Sequence, residues 1–333
     1  MTELSVKRLK SLAVVLCGTA LFALVLQGFL SLVLGGSAEV KNQKASVIES
    51  VPTHDPFAEI VLEARAAYVV DLATKKILFA KNENEKLPLA SVTKLMTALI
   101  ARDHMRNDVV VTLSKEDLSA EGDSGLRPGE RWRMGDLLDV MLLISSNDAA
   151  HAIAGFVGAD GLPSEDMADA RAKFISMMNE KAKTLNLGTM EFFNESGLDI
   201  DTAKNGLPPT SAGRAQAGGY GSAHDVAALM ATLWQTYPTT LEITSRKDAR
   251  ITSQDNIAHI LPNTNEAAGR YAGLIASKTG YTDLAGGNLV ILFDVGVGHP
   301  VVAVVLGSTY KGRFEDMHAL TQATLKAVEY RPL

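Results

Sequence analysis

A single cysteine, Cys17, leaves no partner for an intramolecular disulfide, so cysteine usage says nothing about redox compartment. Positive charge is also short. The 32 Lys and Arg against 38 Asp and Glu give a net charge of −6, which argues against a nucleic-acid binder. The seven histidines show no metal-ligand spacing. The glycine-rich stretches lack the spacing of a phosphate loop, and there is no internal repeat. No cofactor, metal or nucleic acid is therefore expected.

What is present begins with a long apolar run. Residues 12–34 carry no charge and one strongly polar side chain, Gln27. Crossing a bilayer takes about 20 apolar residues, whereas the apolar part of a cleaved signal peptide has only ~7–15. The expected order is a cytoplasmic tail over 1–10, a transmembrane anchor or signal peptide over 11–35, a linker over 36–58, and a folded domain over 59–333. Lys7, Arg8 and Lys10 stay cytoplasmic by the positive-inside rule, which exports the rest of the chain. The domain is then tethered to the cell membrane by a single pass, or secreted if the N-terminus is cleaved. Cys17 reads as a cysteine in an apolar helix, because Leu16 before it is too large for the usual lipobox.

Within the domain, folded sequence is expected from about Ile60. Residues 67–71 and 76–80 read as two strands joined by a turn. Residues 95–101 are apolar nearly all round and predict a buried central helix. Residues 134–155 read as two apolar helices with Ser145-Ser146-Asn147 at their junction, and 170–187 as an amphipathic helix. Residues 201–222, crowded with Gly and Pro, read as a long loop. A helix over 223–236, a strand over 273–279, a valine-rich hairpin over 288–307 and a closing helix over 314–330 complete the chain. Strands at both ends with helices between them predict an α+β fold, one sheet built from distant parts of the chain with helices on both faces.

Three short motifs carry the chemistry: Ser91-Val92-Thr93-Lys94, Ser145-Ser146-Asn147 and Lys278-Thr279-Gly280. A serine hydroxyl is a poor nucleophile until a base takes its proton. Ser91 and Lys94, three apart, share a helix face. Burial, together with a second cation at Lys278, lowers the Lys94 pKa so that its neutral amine can act as that base. The Ser91 N–H at a helix start supplies one oxyanion donor. Ser145 fits a proton relay between Lys94 and a leaving amine, and Asn147 an amide that holds substrate. Gly280 on an edge strand admits a ligand backbone, while Lys278 and Thr279 attract a carboxylate. The bland alternatives are a helix cap, a polar turn and a strand end. A Ser-x-x-Lys pair alone is expected about once in a chain of this length, and a second one, Ser308 to Lys311, sits at a strand end with no buried helix after it. The decisive feature is the set of three in order.

That set resembles the D-alanyl-D-alanine carboxypeptidases, the low-molecular-mass penicillin-binding proteins of peptidase family S11. The resemblance runs through residues 88–99, Ser145 to Ala150, Phe193 to Asp199, Asn263-Thr264-Asn265 and Lys278 to Asp283. It implies a β-lactamase/transpeptidase-like α/β sandwich with an all-helical subdomain, and an acyl-enzyme hydrolysis of peptidoglycan stem peptides that β-lactams inhibit. It implies Ser91 as the acylated serine, Lys94 as its base, Ser145 and Asn147 as the second motif, and Lys278, Thr279 and Gly280 as the third. The Tyr281 N–H would be the second oxyanion donor, and Arg313 would help bind the substrate's terminal carboxylate; the alternative for Arg313 is a solvated surface arginine. An N-terminal anchor would replace the membrane-binding tail that the family often carries. A DD-endopeptidase uses the same residues. A β-lactamase needs a glutamate-activated water, and Glu180, the acid nearest the right distance, lacks the expected asparagine four residues on. An inactive peptidoglycan-binding module would have little need of all three motifs.

Overall fold

The computed structural model describes residues 55–329, apart from 120, 123, 163–165, 202–214 and 297. The apolar run over 12–34, Cys17, most of the expected linker and residues 202–214 of the expected loop lie outside the described residues. Among the described residues no helix is long and apolar enough to cross a membrane.

Five strands form the main sheet: β1 (Ala66–Asp71), β2 (Ile77–Lys81), β3 (Leu274–Thr282), β4 (Gly286–Asp294) and β5 (Pro300–Ser308). Their order is β3-β4-β5-β1-β2, all antiparallel, so β3 is an edge. The two ends of the domain thus meet side by side, as expected. Strand alternation sorts the apolar residues into two cores. Val290, Leu292, Val302, Val304 and Tyr68 face one side; Leu289, Ile291, Phe293, Val301 and Val69 face the other.

Six helices surround the sheet: α1 (Lys94–His104), α2 (Met134–Leu143), α3 (Asn147–Gly158), α4 (Met167–Thr184), α5 (Ala223–Thr236) and α6 (Gly312–Glu329). The first eight residues of α1 are all buried, which accounts for its apolar character all round. It packs with α2 to α5 in the first core, and α6 packs on the opposite face. Side-chain caps set three of the starts: Ser146 accepts from the Ala149 N–H, Asp166 from Asp169, and Ser222 from Asp225.

Two expectations need correction, and one element was not foreseen. The fold begins before Ile60, because Phe57 is buried and its ring stacks on Phe79 at 5.5 Å. The glycine-rich end of the expected loop is a strand, Gly219–Gly221, paired with Leu87–Pro88 and Glu191–Phe192. Glycine there answers crowding: a Cβ on Gly219 would lie 2.5 Å from Thr93 Oγ1, and one on Gly218 would lie 2.4 Å from the Asn194 amide. Finally, an antiparallel hairpin, Asp248–Thr252 with Ala258–Pro262, joins the helical side of the molecule.

Candidate active site

The chain leaves Pro88 and turns through a 3₁₀ segment, Ala90–Thr93, before α1 begins at Lys94. Ala90 takes a left-handed φ of 48° to make this turn, a conformation that non-glycine residues rarely adopt. No side chain caps either helical start. Ser91 is therefore not a cap. Its hydroxyl instead lies 2.9 Å from Lys94 Nζ.

Lys94 is fully buried, and its amine has three partners: Ser91 Oγ at 2.9 Å, Asn147 Oδ1 at 2.8 Å and the Ser196 carbonyl at 2.7 Å. Burial drives its pKa from 10.5 down to about 7, with the Glu195 carboxylate pulling the other way. A neutral amine has two hydrogens and one lone pair. Asn147 Oδ1 and the Ser196 carbonyl can only accept, so they take the two hydrogens. The lone pair is left for the Ser91 hydroxyl, the arrangement a base requires before proton transfer.

Lys278, on edge strand β3, is 1% exposed. Its amine donates to Ser145 Oγ at 2.9 Å and to the Thr279 carbonyl at 2.8 Å. Burial pushes its pKa well below the ordinary lysine value, and the Lys94 and Arg313 charges push it further. The repulsion expected to depress Lys94 is thus felt at Lys278. Ser145 sits between α2 and α3 with a left-handed φ of 61°. Its hydroxyl meets Lys278, whereas the sequence placed it beside Lys94. Asn147 opens α3; its oxygen holds Lys94 and its amide nitrogen donates to the Glu121 carbonyl at 2.7 Å.

Lys278 reaches Ser145, and the Thr279 hydroxyl pairs at 2.7 Å with Thr264 Oγ1, whose own N–H is bonded to the Leu143 carbonyl two residues before Ser145, so both side chains reach the α2–α3 junction. Gly280 lies against the turn that carries Ser91, where a Cβ would stand 2.8 Å from the Leu89 carbonyl and 3.2 Å from Ser91 N. Tyr281 is half exposed, its ring edge-on to Tyr310. Arg313 is 3% exposed, which excludes a solvated surface arginine, and its Nη1 donates to the Gly280 carbonyl at 2.8 Å. A groove of about 560 Å³ opens at the junction. Ser145, Ser146 and Asn147 line it together with Gly122 and Ser124 from one loop and Ile260 and Pro262 from the 248–262 hairpin.

Sequence reasoning missed several members. The Ser196 carbonyl is a main-chain group and has no residue signature. Glu195 is buried, with His151 Nδ1 2.8 Å from its carboxylate. Burial raises the Glu195 pKa, but the His151 hydrogen bond and charge, a backbone amide and Lys94 outweigh it, so the carboxyl stays below its ordinary value. Thr97 Oγ1 donates to the Glu195 carbonyl at 2.6 Å. Asp199 accepts from Thr282 Oγ1 at 3.0 Å and ties the same segment to the end of β3. The signal was the 193–199 stretch, which the sequence flagged by resemblance without assigning it contacts.

Known proteins share the sequence pattern and the fold of this chain. The D-alanyl-D-alanine carboxypeptidase family matches residues 51–309. DacF of Bacillus subtilis, a D-alanyl-D-alanine carboxypeptidase, is 29% identical over 83% of this chain and 66% of its own length. DacB2 of Mycobacterium tuberculosis, of the same description, is 29% identical over 75% of this chain and 77% of its own. The chain therefore spans slightly less than two thirds of DacF and about three quarters of DacB2. Penicillin-binding protein D2 of Listeria monocytogenes, solved in an ampicillin-bound form, superimposes with a TM-score of 0.63 at 28% identity, covering 79% of this chain and 98% of that one. The antiparallel sheet with helices on both faces is the fold of these penicillin-binding serine peptidases. Over residues 51–309, which hold all three motifs, the chain belongs to the D-alanyl-D-alanine carboxypeptidase family, peptidase family S11.

Proposed function

We propose that the chain is a serine-type D-Ala-D-Ala carboxypeptidase that trims peptidoglycan stem peptides. The observation that carries this reading is the buried Lys94 amine, 2.9 Å from Ser91 Oγ and held on its other sides by the Asn147 and Ser196 oxygens. Lys94 takes the Ser91 proton as Oγ attacks the penultimate carbonyl. The oxyanion forms against the Ser91 and Tyr281 N–H groups. As the tetrahedral centre collapses, the C–N bond breaks, and the proton held by Lys94 passes to the D-alanine amine, while Lys278 keeps Ser145 Oγ beside the site at 2.9 Å. Water then attacks the ester and restores the serine. Lys278 and Thr279 receive the terminal carboxylate, with Asn147 holding the neighbouring amide of the substrate.

The same acylation would trap a β-lactam, as the ampicillin-bound relative supports. Glu180 is exposed on α4, where it cannot prime a buried deacylating water. Slow release of penicillins, and hence inhibition, follows. The apolar run over 12–34 would tether the domain to the outer side of the membrane, with 1–10 in the cytoplasm; protease protection of the N-terminus in intact cells tests this.

The central experiment compares wild type with Ser91→Ala for D-alanine release from a stem peptide and for labelling by a fluorescent penicillin. Both should vanish in the variant. Activity that persists without the hydroxyl sinks the mechanism. Mass analysis of digested wall fragments then separates release of free D-alanine from separation of cross-linked stems.

A further inference from the structure

Building on the serine-peptidase reading above, we propose that Arg313, held by the Tyr310 ring, is a positioning residue that aims and polarises the Tyr281 N–H of the oxyanion site through the Gly280–Tyr281 peptide plane. The starting point is what Arg313 touches. Its guanidinium Nη1 donates to the Gly280 carbonyl at 2.8 Å. The group is packed 4.5 Å above the Tyr310 ring and 4.7 Å from the Phe314 ring centre. At 3% exposure it is walled in.

A peptide unit is planar, and in the trans form its C=O and N–H point in opposite directions. Among the described residues every peptide is trans. Fixing the Gly280 oxygen on Arg313 therefore fixes the Tyr281 N–H pointing away from Arg313. That direction is the useful one. Arg313 starts from α6, on the far face of the sheet, whereas the open face of Gly280 lies against Ser91 N. The two N–H groups then converge from β3 and from the nucleophile turn. A charged donor on the carbonyl also draws electron density from the amide and strengthens its N–H as a donor.

Two glycines make the reach possible. Gly287 on β4 pairs with Tyr281. A Cβ at Gly287 would lie 2.0 Å from the Thr309 carbonyl and 3.3 Å from Arg313 Cβ, so any side chain there would displace the arginine. Gly280 leaves the other face of β3 open to the nucleophile turn. Tyr310 is 45% exposed, so its ring covers the guanidinium from the solvent side. Stacked on Arg313 and edge-on to Tyr281 at 5.2 Å, it closes the guanidinium against the strand.

The test separates this role from recognition of the substrate's carboxylate. Two substrates share one acyl group: an N-acyl-D-Ala-D-Ala peptide, and the 4-nitrophenyl ester of the same N-acyl-D-alanine, which has no carboxylate. For Arg313→Ala, kcat on both should fall by about 10–100-fold, below the ~10²–10³ for outright loss of an oxyanion donor, with KM little changed. Tyr310→Ala should lower kcat on both substrates about 3–10-fold, a fraction of that loss, and Tyr310→Phe should restore it. The ester carbonyl stretch of the penicilloyl-enzyme should move to higher frequency in Arg313→Ala and Tyr310→Ala, which a general loosening of the fold would not produce. A defect confined to the peptide, with raised KM, overturns the proposal in favour of carboxylate binding, as does an unshifted carbonyl stretch. Should Arg313→Ala fail to fold, the Tyr310 pair carries the test. Ester turnover in Ser91→Ala would instead sink the serine-peptidase reading itself, and so reports separately.

Discussion

If Lys94 is a neutral base in the folded enzyme, removing its amine should make the protein inactive but more stable, and only over a defined pH range. The amine titrates at 10.5 when free in water and at about 7 in its buried site. Between those values the unfolded chain binds one more proton than the folded one, so stability rises with pH. The lysine destabilises the fold fully below about pH 7, by about 5 kcal/mol at 1.36 kcal/mol per pH unit. The effect fades towards pH 10.5. Lys94→Met keeps the apolar stem and removes that term. It also strips Asn147 Oδ1 and the Ser196 carbonyl of their donor, which costs about 1–3 kcal/mol at a buried acceptor. With two acceptors stranded at about 2 kcal/mol each, the net expectation at pH 6 is a gain of about 1 kcal/mol, or ~2–4 °C in Tm for a domain of this size. The sign should reverse towards pH 10, where the remaining cost of deprotonating the amine on folding falls to about 1 kcal/mol, below the cost of the two stranded acceptors. Thermal melts of both proteins from pH 6 to 10 read this out. A variant that is less stable by the same amount at every pH would mean that Lys94 is charged and well paired in the fold, and the base assignment would fall with it.

Three further perturbations address neighbouring parts of the site. Glu195→Gln removes the carboxylate that holds the Lys94 pKa up, so the acid limb of kcat/KM against pH should move to lower pH; an unmoved limb contradicts the coupling. Gly280→Ala places a Cβ 2.8 Å from the Leu89 carbonyl and 3.2 Å from Ser91 N, so β3 must retreat by a few tenths of an ångström. An acylation rate reduced about tenfold or more is expected, whereas unchanged kinetics would show that the strand need not stand so close. Lys278→Ala should raise KM for carboxylate-bearing peptides and slow acylation by releasing Ser145, and steady-state constants equal to wild type would rule out both roles.

How legible the site was depended on which contacts are encoded by side chains at fixed spacing. Ser91 and Lys94 could be paired from their separation alone, because a helical turn stacks residues three apart, and the 2.9 Å contact follows. Ser145-Ser146-Asn147 announced a helix junction between two apolar runs, and α2 and α3 meet there. The third motif was placed on an edge strand, and β3 is one. The Ser196 carbonyl could not be read, since every residue has one. The Ser145–Lys278 bond joins residues 133 apart and depends on a left-handed φ that no serine advertises. Glycine misled in one place. Gly218 to Gly221 looked like loop punctuation, yet these residues let a strand pass against Thr93 and Asn194.

The residues assigned to catalysis are also those that stand worst with the fold. Seven described non-glycine residues have positive φ; five sit in turns, three of them asparagines, and the other two are Ala90 and Ser145. Each such residue costs about 1–3 kcal/mol, and here they frame the nucleophile and the second motif. Two lysine amines are fully buried beside them, neither bonded to a carboxylate. Left to stability alone, Ala90 would favour glycine, and Lys94 and Lys278 would favour methionine or leucine. Their presence implies that two large apolar cores, one on each face of the sheet, supply the margin that holds strained turns and buried amines in place. The same frame explains why the amine needs so many carbonyl partners. A neutral lysine in an apolar pocket would turn freely and lose its aim, whereas Asn147 and Ser196 fix its two hydrogens and leave one direction for the lone pair. Preorganisation of that kind lowers the barrier before any substrate arrives.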